Sequence, residues 1–213
     1  MCLFFKSHMS YDEAMEALNE PRSRTITWSE DVVKAAGKIP KLSQDIIANA
    51  DYRKELQSHN VARILAIPAN KNLALNLVNN KQPNLEVLQE FKLNGIYKIS
   101  ENHDQFFLNL LNIKQNGQAI NAFNEIPAKP SYISNLAIKH VSICRALTAE
   151  HFDILKQLKF PQLKEIADKH SEFGKWLVQQ PELMEKFSHF AQKKLQQQFP
   201  SQPSFSETSR LLS

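Results

Sequence analysis

The chain has 213 residues, a formal net charge of +4, 42% hydrophobic residues and 23% charged residues. That length and apolar content suffice for a core without disulfide or metal staples, and they exclude a wholly disordered chain. With only 4 glycines, there is little material for the phosphate loops and tight turns of doubly wound nucleotide-binding folds or β-sandwiches.

Ser10-Tyr-Asp-Glu13 is a capping-box pattern that opens a first short helix, with Met15 and Leu18 as its apolar positions and Pro21 as its stop. A second capping box, Thr27-Trp-Ser-Glu30, predicts a helix to about Ala36, closed at Gly37. From Leu42 the helical period continues through Ile46, Ile47 and Ala50, with Tyr52 and Leu56 on a neighbouring stripe. Short apolar faces follow at Val61, Ile64 and Leu65, at Leu73, Leu77 and Val78, and at Leu85, Leu88 and Phe91. Ser100 is expected to cap a helix over 101–113. Residues 114–131, with two prolines and a glycine, predict a long loop or subdomain break.

Beyond that break, Ile133, Leu136, Ala137, His140, Val141 and Cys144 follow one 3.6-residue period. Thr148 predicts the cap of the next helix, and Pro161, Ser171 and Pro181 predict three further starts. The last of these carries a stripe of Leu183, Phe187, Phe190 and Ala191. The expectation is a mainly α protein. It would be a multi-helix bundle or short helical stack of about eight to ten helices over residues 1–198, followed by a disordered polar tail at 199–213. One competing fold is a leucine-rich-repeat-like α/β segment. Leu93–Ser100 and Val141–Thr148 are offset by 48 residues, and each precedes a helix-like stretch.

The chemistry-bearing residues form few patterns. His140 and Cys144 are one turn apart, so on a continuous helix the imidazole would face the thiol, as a Cys-dependent hydrolase or transferase requires. The competing reading makes Cys144 a small core side chain. Cys2 would resemble the start of an N-terminal nucleophile hydrolase once Met1 is removed, but the strands and glycine turns of that class are missing. The seven histidines form no compact metal motif, and no G-x-x-x-x-G-K string is present. No cofactor is expected. Basic residues are dispersed among acids, which reads as a solvated surface and not as a nucleic-acid face. Trp28 and Trp176 are expected as core anchors. No apolar run reaches the roughly 18 residues of a membrane span, and Met1–Lys6 is too short for a signal-peptide core. The chain is therefore expected in the cytoplasm as synthesised, without a transmembrane segment.

Residues 199–213 are rich in Ser, Thr, Gln and Pro, carry Glu207, and close with Leu211-Leu212-Ser213. This segment resembles the translocation tails of effector proteins exported by type IV secretion systems of intracellular bacteria. It departs from their richer pattern in lacking a run of glutamates. The resemblance implies export into a host cell and a host protein as partner. The expected function is a protein-interaction module, with its surface in a helix groove or on the helices at 161–195. The alternatives are an enzyme using Cys144 and an adaptor or chaperone subunit of a larger complex.

Overall fold

A computed structural model describes residues 9–200. The disordered tail expected at 199–213 thus falls almost wholly outside the described residues, as does Cys2. Among the described residues there are helices and turns and no strand. Fifteen α-helical segments occur among the described residues, in chain order: α1 (Tyr11–Asn19), α2 (Trp28–Ala36), α3 (Pro40–Ala48), α4 (Ala50–Leu65), α5 (Lys71–Leu77), α6 (Leu85–Gln89), α7 (Leu93–Asn102), α8 (Asp104–Gln115), α9 (Pro130–Lys139), α10 (Val141–Glu150), α11 (Phe152–Leu155), α12 (Phe160–Lys169), α13 (Ser171–Leu177), α14 (Pro181–Met184) and α15 (His189–Gln198). Short 3-10 turns lie at Pro21–Ser23, Pro68–Asn70 and Asn121–Glu125. The mainly α expectation holds. The leucine-rich-repeat alternative does not, because residues 93–100 lie within α7 and residues 141–148 within α10.

Helices outnumber the expected eight to ten because many breaks are a single residue wide. His103 (φ −135°, ψ 80°) separates α7 from α8, His140 (φ −123°, ψ 105°) separates α9 from α10, and His170 (φ −125°, ψ 99°) separates α12 from α13. His151 separates α10 from α11, and Asn49 does the same between α3 and α4. One residue outside the helical region redirects the chain without a loop, and the next helix starts at once. Two of these histidines also satisfy helix-end carbonyls, which lack intrahelical partners. His103 Nε2 lies 3.0 Å from the carbonyl oxygen of Leu65, the last residue of α4. His170 Nε2 lies 2.9 Å from that of Ala137 and 3.1 Å from that of Ile138, in the last turn of α9. A carbonyl only accepts, so each Nε2 carries the proton and donates.

Several expected boundaries move accordingly. Ser100 does not cap a helix; it sits inside α7, its hydroxyl donating to the carbonyl of Ile96 at 2.7 Å. Thr148 lies inside α10, donating to the Arg145 carbonyl at 2.9 Å. The predicted continuous helix through His140 is two helices. The capping box at Ser10 and Glu13 forms as expected. The one at Thr27 does not: the Thr27 hydroxyl donates to Asp31, and Glu30 instead pairs with Arg63 of α4 at 2.6 and 2.7 Å. The expected Pro181 helix ends after one turn, and Ser188 caps a separate α15, leaving Phe190 68% exposed.

The chain divides into two compact units, with the division between Tyr132 and Ile133. In the first, α4 packs against α2, α3 and α7. Leu42, Ile46, Ile64, Leu65, Ile96 and Ile99 are fully buried there, each contributing about 1.5–3 kcal/mol by leaving water. Arg53, 3% exposed, fixes α6 to this core. Its guanidinium donates to Glu90 at 2.8–3.1 Å, to Glu86 at 2.8 Å and to the carbonyl of Ile47 at 2.7 Å. Inside α4, Gln57 adopts φ 66° and ψ 148°, which kinks the helix. In the second unit, α10 packs on α11 and α13, and α12 packs on α13. Its core includes Ile143, Leu147, Leu163, Ile166 and Leu177.

Candidate functional site

The site is built by two corners of the second unit. After His140, α10 presents Val141, Cys144, Arg145 and Thr148, at i, i+3, i+4 and i+7, along one face. Opposite this face, the α12–α13 corner contributes Lys169, His170, Phe173 and Trp176. The bonds from His170 to the end of α9 hold that corner in place. Between the two walls lies a cavity of about 310 Å³.

Its floor is apolar. Cys144 and Phe173 are buried, while Val141 is 48% exposed, one of three large apolar side chains that are exposed among the described residues. Trp176 is half-buried; its ring meets Phe152 edge-on at 6.0 Å and lies tilted against Phe173 at 5.5 Å. It is therefore a wall of the groove and not the core anchor expected from sequence. Trp28, in the first unit, is likewise half-buried, with the Arg24 guanidinium 4.5 Å above its ring.

The rim carries charge. Glu172 is matched by Lys175 at 2.9 Å. Arg145 on one wall and Lys169 on the other have no ion-pair partner among the described residues. Two cations thus flank an apolar floor, and the one carboxylate of the lining, Glu172, pairs with Lys175 and with neither of them.

His140 and Cys144 do not share one continuous helix. His140 lies at the corner, outside the helical conformation, and meets Cys144 through the backbone: the Cys144 N–H donates to the His140 carbonyl at 3.1 Å. Burial pushes the Cys144 thiol from 9.0 up to about 11, against a smaller opposing pull from Arg145. At neutral pH it is a protonated core side chain. No group of three or more His, Cys, Asp and Glu residues that could hold a metal ion occurs among the described residues.

A second hollow, of about 660 Å³, lies in the first unit beside Tyr11, Lys41, Asp45 and Tyr52. Its polar groups answer one another: the Tyr11 hydroxyl donates to Asp45 at 2.6 Å, which raises the tyrosine above its ordinary value, and Lys41 lies over the Tyr11 ring.

Sequence reasoning singled out Cys144 and Trp176 but missed Val141, Arg145 and Lys169 as parts of a site. Val141 was legible as an apolar residue on the stripe, yet its exposure depends on the turn at His140. Arg145 and Lys169 are 24 positions apart, and only the packing of α10 on α13 brings their neighbourhoods together. Among the described residues, no helix is long and apolar enough to cross a membrane. No protein family, curated protein or solved structure matches the chain.

Proposed function

We propose that the protein is an interaction module that takes a segment of a partner protein into the groove between α10 and the α12–α13 corner. The observation that carries this reading is that the half-exposed Val141 and the half-buried Trp176 line one cavity with the buried Cys144 and Phe173. Partially desolvated aromatic pockets of this kind accept the anchor side chains of a partner. The raised thiol of Cys144 supports a packing role for that residue, which weakens the hydrolase alternative.

The test is selection of binding peptides from an unbiased displayed library on the full chain, repeated with Val141→Glu. Peptides that bind the unmodified chain and lose binding to the folded variant support the reading. Peptides that bind both equally, or no selected peptide at all, overturn it.

The likeness of residues 199–213 to translocation tails supports a second reading, export as an effector. Deleting residues 201–213 should then abolish export by a type IV system while leaving the thermal unfolding of the helical part unchanged. Normal export of the truncated chain sinks it.

A further inference from the structure

We infer that the occupant of the groove is an acidic-apolar peptide segment, with one bulky apolar side chain flanked on both sides by carboxylates. This rests on the interaction reading above and adds the chemistry of the partner. The cavity, at about 310 Å³, is at the small end of ligand pockets, which run from about 300 to 1,000 Å³. It has room for one large side chain and not for a folded surface. The floor of Cys144 and Phe173, with the Trp176 wall beside it, offers that side chain apolar contact.

The charges select what surrounds it. Arg145 and Lys169 stand on different walls, and neither is neutralised among the described residues. The one carboxylate of the lining, Glu172, is already held by Lys175. A basic or neutral segment would leave both cations unmatched beside a surface it desolvates, whereas carboxylates before and after the anchor residue would meet one cation each. Arg145 adds a planar donor fork that suits a carboxylate, and Lys169 a compact point charge. Two walls of different origin therefore impose the order acid, apolar, acid on the bound chain.

The experiment uses the full chain and three labelled 11-residue peptides, read by fluorescence anisotropy. Each has a central Phe in a Gly/Ser background, flanked by Asp/Glu, by Asn/Gln or by Lys. The acidic peptide should bind at least about tenfold more tightly than the neutral one, and added salt should reduce that margin. In the double variant Arg145→Glu, Lys169→Glu the preference should reverse toward the Lys-flanked peptide. That reversal serves as a folding control, since an unfolded variant would bind none of them. Equal binding of acidic and neutral peptides overturns this inference but leaves the interaction reading standing. Failure of all three peptides, while library-selected peptides still need Val141, also overturns it alone. Concentration-dependent dimerisation abolished by the double variant would assign the groove to a second copy of the chain and overturn it too.

Discussion

The imidazole of His103 reaches the carbonyl oxygen of Leu65 at 3.0 Å, joining the corner between α7 and α8 to the end of α4 across 38 residues of sequence. The ring is 3% exposed, so the contact is both a packing element and the partner of a helix-end carbonyl. His103→Ala should cost about 2–4 kcal/mol through the cavity and the stranded acceptor. His103→Gln, which keeps an N–H donor, should recover part of that loss. Denaturant unfolding of the two variants checks this, and a loss under about 0.5 kcal/mol for the alanine variant would show that the contact contributes little.

Gly174 packs against the Phe199 ring so closely that an added Cβ would lie 2.6 Å from ring carbons. Gly174→Ala should therefore destabilise the second unit by about 1–3 kcal/mol, despite alanine's better helix propensity. Combining it with Phe199→Leu should return part of the loss. Thermal unfolding of the single and double variants measures the coupling, and strict additivity would contradict the steric account.

Arg53 and its acidic partners are unequal. The guanidinium side chain is 2% exposed, Glu90 is 34% exposed and Glu86 is 77% exposed. Arg53→Met should cost about 2–4 kcal/mol, because the buried carbonyl of Ile47 and the Glu90 carboxylate lose their donors. Glu86→Gln should change stability by less than about 0.5 kcal/mol, since its carboxylate is mostly hydrated. A Glu86 effect as large as the Arg53 effect would refute this ranking.

For Cys144, the folded thiol at about 11 against an ordinary 9.0 makes native-state alkylation slow near pH 8 and fast after denaturation. The sign of the linkage follows from the raised value. The folded state holds the proton more tightly, so this contribution is fully present below pH 9 and is lost as pH rises toward 11. Cys144→Ala should flatten that part of the stability profile. Rapid labelling of the native chain at pH 8 would mark a reactive thiol and revive the enzyme reading.

Gln57 takes φ 66° with ψ 148°, a region that is essentially glycine's own. Its side chain is exposed. Gln57→Gly should therefore stabilise the chain by about 1 kcal/mol, the reverse of the usual cost of glycine within a helix. A variant destabilised in urea unfolding would refute this account of the kink.

Local signals were legible in the sequence where the deciding partners are local. Ser10 and Glu13 cap each other three residues apart, and Pro161 falls in the first turn of α12. Thr27 and Glu30 carry the same pattern as Ser10 and Glu13, yet Arg63, 33 residues away, takes the glutamate. The histidine corners escaped for a different reason. A one-residue break lets Ala137 and Cys144 keep a seven-residue spacing, which a helical period accepts without a gap. The groove escaped because its walls, α10 and the α12–α13 corner, are separated in the chain by α11 and the stretch at 156–159.

Helices joined through single residues leave little backbone that could enter a protease cleft. Among the described residues, the stretches at 78–84 and 116–120 are the longest runs between helical elements. Nicking and tolerated insertions should concentrate there. A residue added at His140 or His170, by contrast, would turn the following helix face away from its partner. Each wall of the groove is therefore aimed by chain length itself: the corner that precedes α10 and the corner that precedes α13 are joints one residue long.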